Sequence, residues 1–123
     1  MQKQYNYVTK LDVKFEHLKK IDILSMVDVC KDKWFNQTLT KVNDSVVRLG
    51  IVEGEYHWHK HEHDDEFFFV LQGQLFIDLE NETIELNKNQ GITISKNILH
   101  RSRAPKKTVM IMLETSAIEP TGD

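Results

Sequence analysis

Gly54-Glu55-Tyr56-His57-Trp58-His59-Lys60-His61-Glu62-His63-Asp64-Asp65-Glu66-Phe67-Phe68-Phe69-Val70-Leu71-Gln72-Gly73 joins two patterns. The first half sets four of the chain's six histidines at every second position. In an extended strand alternate side chains share a face, so this spacing predicts one strand face rich in imidazole. The second half, Phe67 to Leu71, is apolar on both parities, and a strand of that kind can leave neither face in water.

Outward from this stretch the chain continues in short runs. They cover Thr38 to Val42, Ser45 to Val52, Glu55 to Lys60, Glu66 to Leu71, Gln74 to Glu80, Thr83 to Leu86, Gly91 to Ser95 and Thr108 to Glu114. Between them stand Asn43-Asp44, Glu53-Gly54, Gln72-Gly73, Glu80-Asn81 and Asn87-Lys88-Asn89, residues that tolerate tight or positive-φ turns. Eight such runs predict an all-β sandwich or barrel with mostly antiparallel neighbours. Val109-Met110-Ile111-Met112-Leu113 is a second run apolar on both parities. The outer face therefore needs a cover, either the amino-terminal segment or a second subunit, and a homodimer is expected. Residues 1–35 read as an accessory segment in which Asp22 or Ser25 caps a short helix over Leu24, Met26, Val27 and Cys30, ending near Trp34. The expected division is this segment, a β-barrel over 36–117 and a tail over 118–123.

The chain of 123 residues is the size of one domain. Its 16 Lys and Arg are scattered among 19 acids for a net charge of −3, which argues against nucleic acid as a partner. The first residues lack the basic-then-apolar pattern of a signal peptide, and no apolar run approaches the length that spans a bilayer, so a cytoplasmic protein with no membrane partner is expected. The single cysteine, Cys30, cannot form an internal disulfide and reads as a buried, inert thiol.

Two histidines two apart on a strand aim their rings at one point, and a carboxylate from the adjoining strand adds an anionic ligand; together they suit a divalent metal. A fourth ligand comes from His100, which follows the Gly91 to Ser95 run and is the sole histidine of the carboxyl half. His17 reads as a surface residue. The bland alternative is a solvated polar strand end. Against it, the histidines run straight into the apolar strand Phe67 to Leu71.

The same residues resemble the first motif of the cupins: glycine, a short gap, His-x-His, three or four residues, Glu, six residues and Gly. Gly54, His59, His61, Glu66 and Gly73 fill those places, with four residues between His61 and Glu66 and six between Glu66 and Gly73. Pairing His57 with His59, or His61 with His63, does not fit that spacing. His57 and His63 are then spare histidines beside the ligands or at the pocket mouth, with His63 held open as an alternative ligand. The second cupin motif survives in part. His100 takes its ligand place, Ser95 stands for the usual proline, Asn97 and Asn89 for its two glycines, and Ala104 for a frequent asparagine. Asparagine is the best substitute for glycine at positive φ, so both turns are expected to survive. The resemblance covers roughly 36–117. It implies a cupin (RmlC-like) double-stranded β-helix or jelly-roll barrel with one metal held by His59, His61, Glu66 and His100. The chain is most similar to small bacterial single-domain cupins of the cupin 2 type, some named after mannose-6-phosphate isomerase for their fold.

Three imidazoles and a carboxylate leave two positions open on a six-coordinate ion, enough for a bidentate substrate or for substrate plus dioxygen. The ion is Fe, Mn, Ni or Zn. Phe68 and Val70, with some of Val109, Met110, Ile111 and Met112, are expected inside the barrel as an apolar pocket, while alternation turns Tyr56 and Trp58 away from it. Such a pocket suits a small organic molecule. A sugar phosphate would need Arg101 and Arg103, which read as a solvated loop. The expected function is a metalloenzyme, an oxygenase or a Lewis-acid isomerase or cyclase. The alternatives are a metal-dependent binding or sensor module without turnover and a structural barrel. Metal binding should weaken below about pH 6, where ordinary imidazoles protonate.

Overall fold

The computed structural model describes residues 6–118 and 120–122. Its elements run β1 (Val8–Lys10), α1 (Ile23–Val29), β2 (Trp34–Val42), β3 (Ser45–Glu55), β4 (Glu66–Gln72), β5 (Gln74–Leu79), β6 (Thr83–Asn87), β7 (Gly91–Ile94) and β8 (His100–Thr115). The turns follow the expected chemistry. Asn43, at φ 54°, closes the β2–β3 hairpin where Val42 pairs with Ser45. Asn89 and Asn97, at φ 67° and 68°, take the glycine-like conformations foreseen for them. Gly73, at φ 90°, turns β4 into β5, and a Cβ there would lie 2.8 Å from the Lys107 carbonyl.

The ladder runs β1-β2-β3-β8-β4-β7, with β5 and β6 branching from β8. Among the described residues it does not close into a ring, so the expected barrel is an open jelly-roll sandwich. β8 joins its two parts. Its first residues pair with β5, as His100 with Leu79 and Arg103 with Phe76. Its later residues pair with β4, as Val109 with Gln72 and Leu113 with Phe67. β3 lines its other edge from Arg103 to Thr115, with a register shift between Val52 and Gly54 that accommodates Pro105. Proline cannot donate to a ladder and is tolerated at such a bulge.

Three strand boundaries differ from the sequence reading. β2 begins at Trp34, four residues before Thr38. The run Glu55 to Lys60 is no strand of its own. β3 continues to Glu55 because Gly54, at φ 112°, makes a bulge rather than a turn, and past it the chain stays on β8 through the Tyr56 N–H, which donates to the Ser102 carbonyl at 2.9 Å, and a bridge between His59 and His100. β8 begins at His100, eight residues before Thr108. Its early part alternates buried His100, Ser102 and Ala104 with half-buried Arg101 and Arg103, a two-residue period without apolar bulk.

Two apolar clusters divide the fold. The inner one holds Trp34, Val52, Phe68, Val70, Ile94, Met110 and Met112. The outer one holds Leu39, Leu49, Ile51 and Val109, packed against Phe15, Ile21, Ile23, Met26 and Val27. Phe68, Val70, Met110 and Met112 thus face inward as expected, whereas Val109 and Ile111 belong outside. The amino-terminal segment is the cover on that outer cluster. It is tied down by parallel pairing of β1 with β2 and by Lys14 and Phe15 N–H groups donating to the Thr38 and Leu39 carbonyls at 3.1 and 2.9 Å. Leu39, Leu49 and Ile51 are at most 1% exposed, and each such side chain contributes roughly 1.5–3 kcal/mol. Asp22 caps α1, its Oδ1 accepting from Ser25 N–H at 3.4 Å. The helix stops at Val29, short of Trp34, whose ring is needed in the inner core. Cys30 is half-buried at its end, less covered than expected.

Candidate metal centre

His59, His61, Glu66 and His100 come together. One donor atom from each lies within 4.8 Å of those of the other three, and all four residues are buried. Glu66 opens β4 and His100 opens β8. His59 and His61 sit in the segment between β3 and β4, which is pinned to the β7–β8 connection. His59 and His100 exchange backbone hydrogen bonds at 3.0 and 2.9 Å, and Asn97 N–H donates to the His61 carbonyl at 2.8 Å. Strand alternation, the original ground for pairing these histidines, is therefore not what aligns them.

The rings are oriented from behind. His59 Nδ1 contacts its own neighbour's carbonyl, His57 O, at 3.0 Å, and His100 Nδ1 contacts Ile98 O at 2.9 Å. A carbonyl only accepts, so each Nδ1 carries the proton and Nε2 is left as the lone-pair nitrogen. Glu66 Oε1 lies 3.4 Å from His61 Nε2 and 3.5 Å from His100 Nε2, too far for good hydrogen bonds. Glu66 Oε1 and His100 Nε2 are buried with no hydrogen-bond partner. Donor atoms bound about 2.0–2.2 Å from one ion stand about 3–3.5 Å apart, so this donor set fits a divalent cation both in chemistry and in spacing.

Burial, and next the adjacent His100, hold His59 down at about 4, below the ordinary 6.5. Glu66 is buried too, which by itself would raise its carboxyl, but His100, His61 and Glu114 hold it well below the usual range. For His59 the unfolded chain takes up its proton near 6.5 while the fold resists to about 4. Stability present above pH 6.5 is therefore lost as pH falls through that window, by about 3 kcal/mol in full. Urea unfolding of metal-free protein at pH 7 and pH 5, beside His59→Gln, measures this. An equal pH dependence in the two proteins would contradict it. The same depression moves proton competition at His59 below the pH of about 6 expected from an ordinary imidazole.

Beside the donors lies a cavity of about 20 Å³, lined by Trp34, Asn36, Tyr56, Phe68, Met110 and Pro120 among others, with His59 and Glu66 on its wall. Tyr56 is 8% exposed and faces this cavity, contrary to the alternation argument, because it keeps the inward parity of Gly50 and Val52 on β3, its N–H still bonded to the Ser102 carbonyl at 2.9 Å. Its hydroxyl donates to the Pro120 carbonyl at 3.2 Å, and burial pushes its phenol above the usual range, so it stays a donor. Trp58 points outward as expected, 42% exposed beneath the Arg101 guanidinium.

His57 lies outside the donor group, its ring stacked on Tyr56 with centroids 4.6 Å apart. Its backbone N–H donates to the Tyr7 hydroxyl at 2.9 Å and its Nε2 contacts the Thr121 carbonyl at 2.7 Å. His63 is exposed and lies outside the donor group, so the alternative ligand is set aside. His17 is exposed as expected. Arg101 and Arg103 are not in a loop. They stand on the outer face of β8 opposite Asp78, which both grip at 2.8–3.1 Å. The Arg103 guanidinium holds the Asp78 carboxyl down at about 2 against the effect of burial, so this ion pair persists at neutral pH.

Sequence reading missed three inward polar residues. Asn36 and Arg48 fall within otherwise ordinary strand runs, and Glu114 ends one. Arg48 and Glu114 form an ion pair with side chains 3% and 1% exposed, and Arg48 Nη1 donates to Thr38 Oγ1 at 2.9 Å. Their signal was parity: Arg48 lies two residues from Gly50, and Glu114 two from Met112, on the inner face of each strand.

A cupin domain model matches residues 46–116. The chain is 38% identical over 102 residues to the uncharacterized protein YdbB of Bacillus subtilis, covering 82% of this chain and 90% of that one. It is similar to the crystal structure of a cupin-2 domain protein of Shewanella frigidimarina, with a TM-score of 0.73 and 27% identity, covering 77% of this chain and 93% of that one. The SPY1581 protein of Streptococcus pyogenes shares the fold at a TM-score of 0.69 and 21% identity, over 95% and 100% of the two chains. With the jelly roll in place, Gly54 and Gly73 at positive φ and the match spanning more than half its length, the chain belongs to the cupins.

Proposed function

We propose that this cupin binds one divalent metal ion through His59, His61, Glu66 and His100 and acts as a metalloenzyme on a small organic molecule. The observation that carries the reading is the convergence of four buried donor atoms within 4.8 Å. When bound, an ion with these four ligands keeps two of six positions open, which supports oxygenase chemistry or Lewis-acid isomerisation and cyclisation. The chain's own residues shape what can reach it. Trp34, Phe68, Met110 and Met112 supply an apolar wall, and Tyr56 supplies a neutral hydroxyl. Arg101 and Arg103 are engaged by Asp78, which speaks against a sugar phosphate.

The test is elemental analysis of protein purified without chelators or a metal-binding tag. Close to one equivalent of iron, manganese, nickel or zinc supports the reading. Iron directs the search to oxygen-consumption screens, and the others to isomerase and cyclase assays. Protein that contains no metal, and takes up none when offered each ion, overturns it.

A further inference from the structure

Asn36 is an unusual residue for the interior of this sandwich. It lies on β2 between Trp34 and Thr38 on the inner face, and its side chain borders the cavity beside the donor group. It is 8% exposed, and its buried Oδ1 has no hydrogen-bond partner among the described residues. A buried carbonyl oxygen without a donor weakens a fold, and such groups in native proteins call for an explanation. Its register partner on β3 is Gly50. A Cβ on Gly50 would lie 2.8 Å from Met110 Cε and 3.3 Å from Met112 Cε, so glycine leaves the room those two side chains occupy. Methionine side chains are flexible and polarisable, and their displacement would widen a cavity that now has room for about one water molecule.

We propose that Asn36 is the ligand-recognition residue of this cavity. The ligand is a small, mainly apolar molecule that carries a metal-binding oxygen and, apart from it, one hydroxyl or N–H that donates to Asn36 Oδ1. This rests on the metal reading above and adds the chemical class. The acceptor selects for a second donor on the ligand, and the methionine floor tolerates the shape of its apolar body.

The experiment uses cobalt(II)-loaded protein, with the visible absorption of cobalt followed during titration with phenol and with catechol, resorcinol and hydroquinone. At least one dihydroxybenzene should bind about tenfold or more tightly than phenol, the worth of one hydrogen bond to a buried acceptor. In Asn36→Leu that advantage should fall to about twofold or less, with cobalt content unchanged. The ligand-free variant should also melt at a higher temperature than wild type, because the orphaned carbonyl is gone. A purely structural asparagine would give the opposite shift. Asn36→Ala, which carries no extra bulk, should lose the same selectivity and serves if the leucine variant does not fold. An unchanged ratio in either variant, no dihydroxybenzene better than phenol, or loss of cobalt on substitution overturns the role of Asn36 alone. Failure of the wild-type protein to hold cobalt overturns the metal reading and this inference together.

Discussion

Glu114→Leu is expected to lower the unfolding free energy by about 3–5 kcal/mol, the cost of leaving a buried charge uncompensated. Arg48→Met should cost less than half as much, and the double replacement less than Glu114→Leu alone. The two side chains are 3% and 1% exposed and in direct contact, so neither charge has water to fall back on. The asymmetry follows from chemistry. A guanidinium cannot shed its proton, so without Glu114 the Arg48 charge stays buried, with Thr38 Oγ1 as its remaining hydrogen-bond partner among the described residues. A carboxyl can take up a proton. Burial, and next the neighbouring Glu66 carboxylate, push the Glu114 carboxyl up while Arg48 pulls it down, so in the absence of Arg48 it becomes neutral at little cost. Urea midpoints for the four proteins, metal-free at pH 7, give the cycle. Equal costs for the two single variants would show that Glu114 cannot discharge and would refute the argument.

That ion pair also shows where sequence reading reached its limit. The sheet was legible because apolar alternation and turn residues act locally: Asn43, Gly73, Asn89 and Asn97 adopt the positive φ that their positions require. The buried donor group of His59, His61, Glu66 and His100 was legible from motif spacing, which encodes the meeting of two chain segments. What local patterns do not encode is which positive-φ glycine ends a strand. Gly54 looks like a turn and is a bulge, so β3 runs on through it and carries Tyr56 into the cavity on the same parity as Val52. The first half of β8 was invisible for a related reason. Its outward arginines are satisfied by Asp78 on a neighbouring strand, and its inward residues are a histidine, a serine and an alanine, so hydrophobicity marks neither face. The inward polar set of Asn36, Arg48 and Glu114 reads as surface until the register places it inside.

His100→Ala is expected to weaken metal retention by more than about 100-fold, since loss of a direct ligand should exceed the 10–100-fold effect of residues that only support one. The fold should survive. His100 contributes its backbone to the bridge with His59, which alanine keeps, and β8 remains paired with β3 and β5 on either side. The inner core of Trp34, Phe68, Val70, Met110 and Met112 does not include it. Equilibrium dialysis against zinc, with circular dichroism alongside, separates the two effects. Stoichiometric zinc in the variant would remove His100 from the ligand set, and an unfolded variant would mean that the ion, and not the apolar strands, holds the sandwich together. His63→Ala is the matched control. His63 is exposed and outside the donor group, so its replacement should leave retention unchanged. If His63→Ala lost the metal while His61→Ala kept it, the ligand register would be shifted by two residues. Glu66 would then take its histidine partner from the solvent side of the loop, in place of the buried ring now 3.4 Å from its carboxylate.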